Sequence, residues 1–502
     1  DNITTPSAIV SDRKTTQKNV KSITYTNGRA EFIYSALGVR TDQPESAKLE
    51  KIEVYHTVEG TESLLKTITF NYSYFKNGAD NDGHLKLDGL SIKDANLSES
   101  LDYLFDYHTN NYSWTHQSNR APSNAGNTDL EKQDFFGFYN GIDNDHLITA
   151  DFFNNGFVEV VGDPVDRSTV TTFMKQCVLS KITYPSKGYT TFDFETNQYK
   201  DGNTIKYAGG LRVSEIKNYN VTTGNITTKR YTYSSDDGIG VGKIPTFWTP
   251  ATANAININA VALPYTTGGG TQVDAICQQN IVNDNGWSQA QSHDGTPIFY
   301  TEVKEYFDPV NTTENNGYIK YEFNFYRDHN EKTPQNPIND IQPWRRGQLE
   351  KKTAYDRAGT AVETTTYTNS IFKISSITNA AVVKLNAKST VQSCSSGMPN
   401  QFIGASGFYD YFKYYKYPNK TGQSKVTQTI TLKDGVSTTE TVAYDDYLLP
   451  ISSITDDSYT NHFNIQTTKY PTDASYIGDP VATLMRSRNM IAEPLETEES
   501  EN

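Results

Sequence analysis

Leu49-Glu50-Lys51-Ile52-Glu53-Val54-Tyr55 and Leu65-Lys66-Thr67-Ile68-Thr69-Phe70-Asn71-Tyr72 alternate apolar with polar residues at every step. A period of two puts every second side chain on the same face, so each stretch reads as a β-strand with one buried face. The same alternation recurs over 22–470, and the links between runs carry turn residues at hairpin length, as in Thr222-Thr223-Gly224-Asn225 and Lys433-Asp434-Gly435. The expected fold class is all-β, built of repeated antiparallel hairpins with one or two short helices. The best helix begins at Asp479-Pro480, an N-cap followed by proline at the first helical position, with Val481, Leu484 and Met485 in helical spacing. A second short helix is expected over 167–176.

Composition agrees. The apolar fraction is 35%, below the usual ~45–50%, yet the chain holds 34 Tyr and 23 Phe, a mixture suited to a pleated, half-wet surface. Its length of 502 residues suggests about three domains or one extended repetitive architecture. The net charge is −14, with five acids between 493 and 501, which argues against a nucleic-acid partner because phosphate binding draws on a positive field. Cys177, Cys277 and Cys394 lie about a hundred residues apart without a CxxC pair, so no zinc site is expected and the compartment stays open. No run of eighteen apolar residues offers a membrane-spanning helix. The start at Asp1, without a methionine, suggests a processed chain or an interior piece of a longer one.

Five segments are expected: a β-rich stretch over 1–165, hairpins over 166–233, a loop-rich insertion or boundary over 234–296 that includes Gly268-Gly269-Gly270, further hairpins over 297–478, and a short helix with an acidic tail over 479–502. A weak repeat runs through the hairpins. Tyr219 and Tyr231, Tyr306 and Tyr318, and Tyr355 and Tyr367 each lie twelve apart across a polar turn, with Leu432 and Tyr444 as a variant. The pattern predicts two arms that place matching side chains on one face, each unit leaving an apolar edge for the next. At the chain start, Ser22-Ile23-Thr24-Tyr25 looks less protected as an edge than the acidic end.

Several peptides then appear in a telling order: Phe70-Asn71-Tyr72-Ser73-Tyr74-Phe75, Gln133-Asp134-Phe135-Phe136-Gly137-Phe138-Tyr139-Asn140-Gly141, Asp166-Arg167, Leu179-Ser180-Lys181-Ile182-Thr183-Tyr184-Pro185-Ser186-Lys187-Gly188-Tyr189, Gly209-Gly210-Leu211-Arg212-Val213, Ile298-Phe299-Tyr300-Thr301-Glu302-Val303 and Trp344-Arg345-Arg346-Gly347-Gln348-Leu349. Together with the closing 470–491 segment they resemble landmarks of large RHS/YD-repeat surface or secreted proteins of Bacteroidetes type. Phe136 stands where that pattern has Trp. The resemblance implies strands wound into a large spiral or shell-like sheet that encloses cargo, and a place outside the cytoplasm, at the outer-membrane surface or exported. It implies as partners further RHS/YD repeats of the same or another chain, or an envelope or secretion complex. Physically the landmarks read as strands and turns: Pro185 drives Tyr184 into the β region and Gly188 is expected to take a positive φ, while Gly209-Gly210 allows a close approach or a kink.

Chemical motifs fail on spacing. Asn77-Gly78-Ala79-Asp80-Asn81-Asp82-Gly83 has clustered oxygens, but Gly89 falls where a calcium loop needs its bidentate glutamate, and Asp143-Asn144-Asp145-His146 is no better. Gly238-Ile239-Gly240-Val241-Gly242-Lys243 lacks both the spacing and the hydroxyl of a phosphate loop. No HExxH or GxSxG occurs. Trp114, Trp248, Trp287 and Trp344 are candidates for sugar stacking, with core packing the plainer explanation. No catalytic, cofactor-binding or metal-binding residue is assigned, no cofactor is expected, and the chain reads as a non-enzymatic structural or interaction segment. The competing readings are a carbohydrate-binding or carbohydrate-cleaving surface protein and an accessory subunit of an outer-membrane or secretion assembly.

Overall fold

The computed structural model describes residues 18–75, 84–96, 99–108, 132–134, 137–142, 166–201, 203–234, 255–259, 263–266, 272–275, 278–282, 298–308, 314–326, 342–385, 411–459 and 463–501. The first ten strands are β1 (Ser22–Tyr25), β2 (Gly28–Tyr34), β3 (Leu49–Val58), β4 (Thr61–Tyr74), β5 (Leu85–Asp94), β6 (Ser100–Tyr107), β7 (Leu179–Thr183), β8 (Tyr189–Asp201), β9 (Thr204–Tyr219) and β10 (Ile226–Ser234). Each pairs antiparallel with the next. β11 (Ala255–Asn259) and β14 (Gln278–Val282) form one two-stranded ribbon, and β12 (Leu263–Thr266) and β13 (Gln272–Ala275) another.

The main sheet resumes directly, since β10 pairs with β15 (Glu302–Phe307). The meander continues through β16 (Tyr318–Phe323), β17 (Leu349–Tyr355), β18 (Ala361–Leu385), β19 (Tyr411–Lys433), β20 (Val436–Tyr444), β21 (Pro450–Asp457), β22 (Phe463–Lys469) and β23 (Glu496–Glu501). The result is one 19-stranded antiparallel sheet in which neighbours in sequence are neighbours in space. The fold class is therefore all-β, as the alternation requires.

Turn chemistry sets the registers. Asp434 and Gly435 take φ of +50° and +80° between the paired Lys433 and Val436, the geometry that matches strand twist in a two-residue hairpin. The turn at 184–189 differs from expectation: Lys187, not Gly188, carries the positive φ, at +67°. Gly188 is needed for space, because a Cβ there would lie 2.8 Å from the Tyr219 carbonyl oxygen of β9. At Gly210 the φ is +89°, and the register slips between Thr196 and Asn197, so this pair of glycines kinks the β8–β9 hairpin.

The twelve-residue tyrosine spacing is only partly a cross-strand match. Tyr306 and Tyr318 face each other with ring centroids 5.1 Å apart, and Tyr318 stacks on Tyr355 of β17 at 4.4 Å. Tyr219, however, lies opposite Ile226, and Tyr355 lies opposite Ala361, because those turns are shorter than the spacing requires. Tyr219 instead stacks on Tyr189 across the open end of its own β8–β9 hairpin, at 4.8 Å.

Register also makes the first third of the sheet amphipathic. Phe32, Ile52, Ile68, Ile92 and Leu101 are direct partners across five adjacent strands, on one face. The other face carries Thr67, Thr69, Glu31, Lys51 and Glu53, with Arg29 paired to Glu31 and Glu62. The apolar row is half-buried and Leu101 is exposed, so no described element covers it. A buried apolar cluster lies elsewhere, where Ile298 packs with Tyr199 and Ala208 of the β8–β9 hairpin.

Among the described residues one α-helix occurs, α1 (Pro480–Ser487), where Asp479 Oδ1 accepts the Ala482 N–H at 2.8 Å. It buries Ala482 rather than Val481 and Leu484, which are exposed. Asp479→Ala is expected to lower stability by about 1 kcal/mol through loss of the cap, read as faster amide exchange confined to 480–488. The second expected helix does not form. Residues 171–177 make successive turns, in keeping with the β-branched run Val170-Thr171-Thr172. The acidic tail forms the last strand: β23 pairs with β22, and Glu496 binds Lys469 at 3.0 Å.

Candidate functional site

Four of the peptides singled out in the sequence converge on the β8–β9 hairpin. Asp134 is fully buried; its Oδ1 accepts the Phe138 N–H at 2.9 Å and its Oδ2 accepts the Thr169 hydroxyl at 2.7 Å. Arg167, 1% exposed, donates from Nη2 to the Asp134 carbonyl at 2.9 Å. Asn140 donates to the Ser168 carbonyl at 3.1 Å, and Phe173 lies where a Cβ on Gly141 would fall. The Phe138 ring in turn sits 3.2 Å from where a Cβ on Gly210 would be. Tyr300 donates to Asn197 Oδ1 at 3.1 Å, which seats the 298–303 peptide on the same hairpin.

Beside this junction lies an open hollow of about 520 Å³ lined by Asp193, Glu195, Arg212, Glu215, Arg230 and Tyr233. Arg212 Nε donates to Glu195 at 2.8 Å, and its guanidinium stacks on Tyr233 and Tyr300 at 4.7 and 4.9 Å. Glu215 is bound by Lys217 and, at 3.1 Å, by Arg230. Burial pushes the Glu215 carboxyl up, but these two cations outweigh it and hold it below the ordinary carboxylate range. Burial drives the Tyr233 phenol well up. Chemically, the hollow offers two carboxylates, Glu195 and Glu215, already committed to cations, and tyrosine rings under an arginine.

A second cluster lies one strand further on. Glu305, 7% exposed, accepts Tyr231 at 3.1 Å through Oε1 and Tyr321 at 3.1 Å through Oε2, while Lys229 reaches Oε1 at 2.9 Å. Burial raises the Glu305 carboxyl, yet Lys229 and the two phenols hold it below its usual value. Burial, with the Glu305 charge, pushes both Tyr231 and Tyr321 up to about 12. A carboxyl depressed in the folded state stabilises fully above its unfolded pKa of ~4.3 and loses that contribution as pH falls through the folded value. The urea midpoint should therefore fall below about pH 4, and Glu305→Gln should lessen that acid-limb fall; an unchanged acid limb would remove Glu305 as its source.

Trp344 is packed rather than presented. A Cβ on Gly422 would lie 2.6 Å from its ring, Gln348 Nε2 donates to its carbonyl at 2.8 Å, and Arg345 lies over it at 5.2 Å. Cys177 is half-buried at a φ of +62°, and burial pushes its thiol up to about 12. The 77–83 and 143–146 acidic stretches, the 238–243 glycine stretch, Trp114, Trp248, Trp287, Cys277 and Cys394 lie outside the described residues. Glu195, Arg230 and Glu305 carried no sequence signal, since each meets its partner through cross-strand register, and so does Glu215 in its pairing with Arg230.

No protein-family model matches the chain, and no curated protein does. Among solved structures it is similar to the crystal structure of TcdB2-TccC3 without its hypervariable C-terminal region, at 10% identity and a TM-score of 0.20. The similarity covers 89% of this chain and 31% of that one, so the chain spans about a third of the other's length.

Proposed function

We propose that the chain is a non-enzymatic wall segment of an RHS/YD-repeat-like protein of Bacteroidetes type, placed outside the cytoplasm, where its sheet encloses cargo or docks further repeats. The observation that carries this reading is the unbroken 19-stranded meander, apolar on one face and charged on the other in its first third. Among the described residues no second layer covers the apolar row, and curling the sheet so that the row faces a common interior is the economical way to keep it from water. The landmark peptides serve that role as staples: Arg167, Asn140 and Tyr300 pin excursions of the chain back onto the sheet.

The test is electron microscopy of the chain expressed within its full open reading frame, with protease shaving of intact cells alongside. A curved wall with the 32–101 apolar row facing a lumen, and cleavage from outside the cell, are expected. An open sheet with that row facing solvent would overturn the wall reading, and resistance to shaving with release only on lysis would overturn the location. A glycan retained by the purified chain and lost in Arg212→Ala would instead favour a carbohydrate-binding surface at the hollow.

A further inference from the structure

The connection between β22 and β23 carries α1, and the two sides of this helix differ in chemistry. Ala482 is fully buried and Arg486 donates to the Pro471 carbonyl, so these residues mark the side that seats the helix. Val481 and Leu484 are 61% and 51% exposed, and the C-cap Arg488 follows them at a spacing of four, on the same side of the helix. Ile477, 79% exposed, stands just before the helix, and Met490, 44% exposed, just after it. No described element covers these four apolar side chains. Exposed apolar residues scattered singly are ordinary, whereas a stripe of them gathered on one short connection marks an interaction site.

The order of charges along the stripe names the partner. From 477 to 490 it runs Ile477, Asp479, Val481, Leu484, Arg488, Met490. Turned end for end, the order is the same with the sign of the charge exchanged, so apolar meets apolar and Asp479 meets Arg488. Asp479 spends one carboxylate oxygen on the Ala482 N–H and keeps the other to accept. Arg488 is exposed and its side chain has no ion pair among the described residues. The two charges lie roughly 13 Å apart along the helix axis, so an antiparallel contact closes both ion pairs at once around the apolar middle. Antiparallel helices also bring opposite ends of their macrodipoles together. A patch complementary to its own reverse is what a two-fold contact between identical chains requires. A lipid surface or a purely apolar peptide would make no use of an acid at one end and a base at the other.

We infer that α1 is a self-association surface, on which a second copy of this chain lays its own α1 antiparallel, Val481 against Leu484 and Arg488 against Asp479. The contact is small. A stable dimer buries about 1,200 Å² or more, and four apolar side chains with two ion pairs fall short of that, so the dissociation constant is on the order of 0.1 mM. The inference stands apart from the wall reading, because α1 lies on a connection between strands and its pairing is read whether or not the sheet curls.

The test is sedimentation velocity of the 502-residue chain from about 5 to about 500 µM. A monomer that passes into a dimer, and no further, is expected. The combined Val481→Asp and Leu484→Asp variant should associate about a hundredfold more weakly, and Arg488→Glu about tenfold more weakly because it sets an acid against Asp479. Leu432→Asp, at an exposed apolar residue of β19, should associate as the parent does. Disulfide trapping reads the orientation: Val481→Cys mixed with Leu484→Cys should cross-link faster than either alone, with the parent and its three cysteines as the blank. The concentration dependence of the unaltered chain decides the matter even if a variant misfolds. A monomer at every concentration, or a dimer untouched by the change at Val481 and Leu484, would overturn the inference. So would growth beyond the dimer, which a closed two-fold contact forbids, or cross-linking of Val481→Cys alone as fast as the mixture, which would make the helices parallel.

Discussion

Arg167→Ala is expected to release the 132–142 turn from the sheet, raising amide exchange at Phe138 and Asn140 by about a hundredfold or more, equivalent to ~3 kcal/mol of local stability. The guanidinium is 1% exposed and holds the Asp134 carbonyl, while Asp134 itself is fully buried and organises the turn through Phe138 and Thr169. Truncation removes a donor from a buried acceptor and leaves a void the size of an arginine side chain, two costs that add. Arg167→Lys should recover little of the loss, because a single ammonium does not reproduce the planar fork of donors. The effect should stay local, with strands β20 to β23 exchanging as in the parent, since a meander transmits stability mainly between neighbours. Parent-like exchange at Phe138 in Arg167→Ala would show that the turn is held by other contacts.

Ile68→Asp is the second large expectation, and its companion Thr67→Asp is the control that gives it meaning. Ile68 sits in the middle of the apolar row, between Ile52 and Ile92, whereas Thr67 is its neighbour on the charged face. If the row faces a covered interior, placing a carboxylate there costs about 3 kcal/mol or more, while the Thr67 change stays within ~0.5 kcal/mol. Chemical denaturation of both variants in the same chain reads the difference. Equal, small effects would mean that water reaches both faces, and the curved wall would lose its main physical support.

Alternation and turn residues determine the local structure because both act over a few positions: Leu49 to Tyr55 can bury only one face, Asp434-Gly435 can close only a tight hairpin, and Asp479-Pro480 can only start a helix. All three were readable without coordinates, and so was the antiparallel, all-β class. The tyrosine spacing was misleading for the opposite reason. Twelve residues of separation say nothing about which pairs face each other until turn length sets the register, and register placed Tyr219 against Tyr189 rather than Tyr231. Tertiary structure alone brought Arg167 to Asp134, Tyr300 to Asn197 and Lys229 to Glu305, contacts spanning from 33 to 103 residues of chain. It alone also showed that β18 and β19 outrun their neighbours, because a strand's length is written in its own residues but its isolation is a property of the strands that stop beside it.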